Sequence, residues 1–132
     1  MRKQIRTSLM VAAVVFVASW VSSQETGTTQ KTVLHTAIWT LKEGSSPQEY
    51  EAFRKETEKL VAAMPGLRRA WVGKLRQPLA VGDVTRTHGL LLEFVDVQSR
   101  EAYSTHPARA AWAEAWSKVR VPGSTAFDLI GE

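Results

Sequence analysis

Residues 33–66 read VLHTAIWTLKEGSSPQEYEAFRKETEKLVAAMPG, and within this one stretch the chain passes from strand to helix and then stops. Val33 to Leu41 is dense in β-branched and aromatic residues, the composition of a strand. One face of that strand carries Val33, His35, Ala37, Trp39 and Leu41, and the other carries Leu34, Thr36, Ile38 and Thr40. Both faces are largely apolar, so both are expected to be covered. Ser46-Pro47-Gln48-Glu49 supplies an N-cap hydroxyl, a proline at the first helical position and a glutamate that can reach back to the cap amide. Behind it, Tyr50, Phe53, Leu60, Val61 and Met64 recur at spacings that place them on one stripe of a helix. Pro65-Gly66 ends that helix.

Toward the C-terminus, Leu67 to Arg76 predicts a second strand centred on Trp71-Val72. QPLAVGDVT (residues 77–85) carries Pro and Gly and reads as an exposed loop. His88 to Val95 is the most apolar strand. A short helical stretch, Ser99 to Thr105, is cut at His106-Pro107, because a residue before proline is pushed out of the helical region. Pro107 restarts a helix whose Ala108, Ala111, Trp112, Ala115, Trp116 and Val119 form one stripe. Pro122-Gly123 breaks it, and Thr125 to Ile130 closes the domain as a strand. The order β-α-β-β-α-β predicts an α+β fold of ferredoxin-like type, a four-stranded antiparallel sheet with its helices on one face. The other sheet face would remain open. Its strands are apolar there too, so a second copy packed face to face is the simplest cover, and a homodimer is expected.

Toward the N-terminus, Arg2, Lys3 and Arg6 precede a 13-residue apolar run from Leu9 to Val21, followed by Ser22-Ser23. That order is the grammar of a secretory signal, and a bilayer-spanning helix takes about 20 residues. Residues 1–23 are therefore expected to be a removable signal peptide that leaves no stable membrane anchor. Residues 24–31 read as a flexible leader and 32–132 as a single domain, exported to the periplasm or beyond. Without the signal, 14 basic residues face 13 acidic ones, so the basic pI of about 9.7 reflects targeting. It gives no support for a nucleic-acid partner.

The chain has no cysteine, which excludes disulfides, thiolate metal sites and a cysteine nucleophile. Its three histidines, His35, His88 and His106, show no helical metal-pair spacing, and neither GxSxG, nor a P-loop, nor GxGxxG occurs. Neither a metal nor a cofactor is expected. His106, just before a proline at a helix start, is placed to satisfy free amides there.

Tyr103-Ser104-Thr105-His106-Pro107-Ala108-Arg109, preceded by Glu93-Phe94, resembles the Y-x-x-H-P-x-H segment of the stress-responsive A/B barrel (Dabb) family. The likeness extends to a strand-one histidine at His35, and it covers residues 33 to 130. The resemblance implies a ferredoxin-like protomer that pairs into a dimeric α/β barrel. It also implies candidate site residues, because a polyketide cyclase of this family uses the tyrosine and the second histidine of the segment without a cofactor. Carried onto this chain, the tyrosine is Tyr103, the strand-one histidine His35, and His88 falls where that enzyme has another histidine. Ala37, Trp39, Phe53, Leu90 and Trp112 would wall the pocket.

The second histidine of the motif is Arg109 here. Arginine stays protonated and cannot serve as a base. The role open to Arg109 is to hold a carboxylate or a developing enolate, with Tyr103 as hydrogen-bond donor and His35 as base. The expectation is an exported homodimer that binds a small apolar or aromatic ligand without catalysis. The alternative is a cofactor-free cyclase or monooxygenase. An enclosed cavity reached by Tyr103, His35 and Arg109 would favour the enzyme, and a cavity filled by Trp39 and Trp112 the other reading.

Overall fold

A computed structural model describes residues 31–132. The expected signal, and all but the last residue of the leader, lie outside the described residues. The elements run β1 (Val33–Trp39), α1 (Pro47–Ala63), β2 (Leu67–Val81), β3 (Val84–Phe94), α2 (Val97–Tyr103), α3 (Arg109–Val119) and β4 (Thr125–Ile130). The strands form one antiparallel sheet in the order β2-β3-β1-β4, the ferredoxin-like arrangement predicted from the element order.

Helix α1 starts through the reciprocal bonds its sequence promised. The Glu49 amide donates to Ser46 Oγ (3.1 Å), and the Ser46 amide donates to Glu49 Oε2 (2.8 Å). Its buried stripe runs Phe53, Thr57, Leu60, with Met64 buried just beyond the end. Thr57 is the polar member of that stripe. Its hydroxyl donates to the Phe53 carbonyl (2.9 Å) and accepts from Trp112 Nε1 (3.1 Å), which ties α1 to α3. Thr57→Val keeps the shape and strands the indole N–H, so it is expected to cost about 1–2 kcal/mol in urea denaturation.

Gly66, after the helix, takes φ +80°, a conformation that favours glycine. A Cβ there would strike the Ser99 side chain at the start of α2. The Gly66 carbonyl also accepts from the Val95 amide (2.8 Å), so this turn locks α1, β3 and α2 together. Gly66→Ala is expected to lose about 2 kcal/mol or more, read as a lowered denaturation midpoint.

Two expectations are corrected. Residues 77–85 are not a loop: β2 and β3 continue as a hairpin arm that turns at Gly82-Asp83, with Gly82 at φ +59° and Val81 opposite Val84. A register shift between Lys74 and Leu79 takes up Gln77-Pro78, because proline cannot donate to a ladder and is tolerated at a bulge. Glu93 is 7% exposed and accepts from Arg69 Nε at 2.5 Å. Helix α2 also begins two residues earlier than expected, where the Asp96 carboxylate caps the Ser99 amide at 2.7 Å.

Strand register sorts every sheet residue to one face, since directly opposed residues share a side. Toward the helices point Val33, His35, Ala37 and Trp39 of β1, opposite Phe94, Leu92, Leu90 and His88 of β3. With Phe53, Leu60, Trp112, Trp116 and Val119 from the helices, these build the core. The other face consists of three cross-strand rows: Arg69, Glu93, Leu34, Leu129; then Trp71, Leu91, Thr36, Phe127; then Gly73, Gly89, Ile38, Thr125. Among the described residues nothing covers it. Trp71 is 47% exposed, Phe127 54% and Leu129 60%.

Candidate functional site

His35, Tyr103 and Arg109 do meet, at the end of the sheet where α2 hands over to α3. His35 is delivered by β1 on the helix side, and its ring centre lies 5.7 Å from that of Tyr103, the last residue of α2. Arg109 opens α3 and lays its guanidinium 4.4 Å from the Tyr103 ring centre while donating to the Ser104 carbonyl (2.8 Å). The His106 ring accepts from the Ala108 amide (3.1 Å), the helix-start role expected of it.

Two residues of this cluster were missed in the sequence. Asp128 of β4 sits opposite His35 in register, and its Oδ1 lies 2.6 Å from His35 Nδ1. Arg100 of α2 donates to the same oxygen (3.1 Å) and to Ser104 Oγ (3.2 Å), with its guanidinium 5.5 Å from the Tyr103 ring. The signal for Asp128 was the alternation of β4, which puts Asp128 on the same side as His35 once both strands are placed.

Burial lowers the His35 pKa, and the nearby Arg100 and Arg109 add to that, against the opposing bond to Asp128. For Asp128, burial pushes upward, but hydrogen bonds from His35 and Arg100 outweigh it and hold the carboxyl low. A neutral imidazole beside an ionised carboxylate must carry its proton on Nδ1 to donate that bond. Nε2 then keeps a free lone pair, the form of a base. Tyr103 is only 3% exposed, its ring packed against Phe94 (5.4 Å) and Trp112 (6.1 Å). Burial raises its pKa, with Arg109 pulling the other way. It is a neutral phenol at physiological pH.

Of the remaining candidates only Trp112 reaches this trio, beside Tyr103 and 5.8 Å from the Arg109 guanidinium. His88 pairs with Trp39 in register, so the two strand histidines sit toward opposite ends of the β1–β3 ladder, as antiparallel pairing requires. Its ring is 5.0 Å from that of Trp39 and 5.8 Å from that of Tyr50. Ala37, Trp39, Phe53, Leu90 and Trp112 are buried and pack on one another: Phe53 lies 5.8 Å from Trp39 and 6.3 Å from Trp112. Trp116 completes the cluster, 5.1 Å from Trp112 and 6.2 Å from Trp39. A groove of about 330 Å³ lies elsewhere, between α1 and the edge strand β2, floored by Val61, Ala70 and Val72 with Arg54 and Glu58 at its rim.

Burial also lowers His88, with Lys74 adding to the effect. A histidine whose folded pKa is depressed lets the unfolded chain take up protons first. Stability is then complete above about pH 6.5, the unfolded value, and declines as the pH falls below it. The midpoint of urea denaturation is expected to drop between pH 7 and pH 5. His88→Gln should remove part of that slope, and an unchanged slope would contradict the burial assigned to this ring. Asp128 acts the same way at lower pH: its contribution holds above about 3.9 and is lost as the pH falls through its depressed value.

The fold and site can be set beside known proteins. A Dabb family protein with a ferredoxin-like fold from Mesorhizobium loti superposes with a TM-score of 0.60 at 21% identity, covering 78% of this chain and 99% of its own. A dimeric ferredoxin-like protein of unknown function from Thermobifida fusca gives 0.57 at 22% identity, with 76% and 92% covered. The hydroxynitrile lyase from Passiflora edulis gives 0.62 at 15% identity, with 76% and 94% covered, a likeness of fold alone. No curated protein matches in sequence. The family described as Stress responsive A/B Barrel Domain matches residues 33–130, the span from the first residue of β1 to the last of β4. With the predicted strand order, the Tyr103 to Arg109 segment and that match in agreement, the chain belongs to the stress responsive A/B barrel (Dabb) family.

Proposed function

We propose that this protein is exported and acts as a homodimer that binds a small apolar ligand without chemistry. The observation that carries the non-catalytic reading is the packing around Tyr103. Its ring is 3% exposed beneath two guanidinium groups, and Trp39 and Trp112 are buried in one aromatic cluster behind it. Packed this way, Tyr103 serves the core, and its hydroxyl is not presented to a molecule bound outside. The open sheet face supports pairing, since Trp71, Phe127 and Leu129 leave an apolar patch uncovered. Solved structures of similar fold from Thermobifida fusca and Bacteroides fragilis are described as dimeric. The groove between α1 and β2, apolar on its floor and near the lower end of ligand-pocket volumes, is the place for the ligand. Export rests on the order of charge, apolar run and small residues in positions 1–23.

Native mass spectrometry of the protein purified from its own host tests dimer and ligand together. The expected species is a dimer carrying added mass, and an empty monomer overturns both claims. The oriented His35–Asp128 pair favours a second reading, proton transfer in a cofactor-free enzyme. On that reading the bound molecule is converted on incubation and His35→Gln stops the conversion. On the first reading it is recovered unchanged.

A further inference from the structure

The open sheet face holds an arrangement that the protomer alone does not require. Gly73 and Gly89 sit directly opposite each other in the interior of β2 and β3. Neither has a positive φ, so the backbone does not demand glycine there. A Cβ on Gly73 would meet nothing within 4 Å, and one on Gly89 would make ordinary contact with Leu75 at 3.4 Å. Glycine inside a strand weakens it and leaves nothing to pack, so such a pair marks a place where something else comes close to the sheet.

With Ile38 and Thr125 these glycines make one cross-strand row, low over β2 and β3 where the two glycines meet and walled on β1 by Ile38, so the trough lies in the β2–β3 half of the sheet. It opens as a hollow of about 250 Å³ whose walls include Thr36, Ile38, Trp71, Leu75 and Leu91. The neighbouring row, Trp71, Leu91, Thr36 and Phe127, is a ridge. Its tallest member is held in place, for the Arg69 guanidinium lies 4.9 Å from the Trp71 ring centre. Sheets packed face to face sit about 10 Å apart, so a row of large side chains can enter only where the facing row is small.

We propose that two protomers interlock through these rows, Trp71 and Leu91 of each lying over Gly73 and Gly89 of the other. A two-fold axis running between ridge and trough achieves both contacts at once, as a self-complementary interface requires. The inference rests on the homodimer reading and adds its register. The glycines are then size partners of the ridge: they give up strand stability in the protomer and return it as packing in the pair.

The test is a swap of sizes, read as the dimer dissociation constant of the full chain by analytical ultracentrifugation. Gly73→Leu fills the trough and Trp71→Ala lowers the ridge; each is expected to weaken the dimer by about tenfold or more. The double variant moves the bulk from ridge to trough and is expected to return to within about threefold of wild type, a coupling that independent sites would not show. A wild-type dimer that Gly73→Leu leaves unchanged, or a double variant weaker than either single, overturns the interlock alone. A monomeric wild type overturns the homodimer reading and the interlock with it. Near-UV circular dichroism checks that each variant folds. Gly73→Ala, whose added methyl meets only open space in the protomer, repeats the test at smaller amplitude should leucine disturb the strand.

Discussion

Trp112→Ala is expected to lower the unfolding free energy by about 3–5 kcal/mol, the range for deleting a buried aromatic side chain. Trp112 is almost fully buried and packs against Phe53 of α1, Tyr103 of α2 and Trp116 on its own helix. Its N–H donates to Thr57, so truncation also removes a buried hydrogen bond and leaves the Thr57 hydroxyl with the Phe53 carbonyl alone. A domain of this size commands about 5–15 kcal/mol in total, so the variant should be partly unfolded near its growth temperature. Circular dichroism in urea is the measurement, since the substitution removes a fluorophore. Trp39 offers the contrast. Its Nε1 is buried and meets no partner among the described residues. Trp39→Phe therefore removes an orphan donor as it loses volume, whereas Trp112→Phe loses volume and a hydrogen bond. The second should cost more, and equal costs would contradict the assignment of the Thr57 bond.

Local chemistry was legible wherever one short segment decides the outcome. The capping box at Ser46 and Glu49, the stop at Pro65-Gly66 and the break at His106-Pro107 each depend on residues within a few positions; the first two stand where the sequence places them, and the break is wider than expected, with α2 ending at Tyr103 instead of Thr105 and α3 starting at Arg109 instead of Pro107. The hairpin arm was lost because Pro78 and Gly82 share one short stretch and were read together as a loop. Gly82-Asp83 alone is a two-residue hairpin turn, and Pro78 is absorbed by a bulge. The candidate site was legible only in part. His35, Tyr103 and Arg109 lie on segments that family likeness brings together. Asp128 and Arg100 join them through the pairing of β1 with β4 and the docking of α2, contacts between residues 93 and 28 positions apart. Burial was the least legible property. Glu93 alternates like an exposed strand residue, yet Arg69 across the ladder bonds it and holds it at 7% exposure.

Phe127→Asp is expected to convert the proposed dimer to a monomer while leaving the protomer nearly as stable as before. The two halves of that expectation have separate causes. Phe127 is 54% exposed on β4, an edge strand, so in the isolated protomer an aspartate there stays hydrated and costs little. In the pair, the same carboxylate would be taken out of water within an apolar row and without a cation beside it, which costs several kcal/mol. A self-complementary interface contains the substitution twice. Even about 3 kcal/mol in all raises the dissociation constant more than about 100-fold. Light scattering behind size exclusion at micromolar concentration should show the monomer mass, with the wild-type near-UV spectrum retained. Ala62→Asp, at an exposed position on α1, adds the same charge away from the sheet and should leave the dimer intact. If both variants remain dimeric, the open sheet face is not the interface, whatever covers it. If both dissociate, net charge rather than this face governs association. Only dissociation of Phe127→Asp alone ties the pairing to the surface that the strand register exposes.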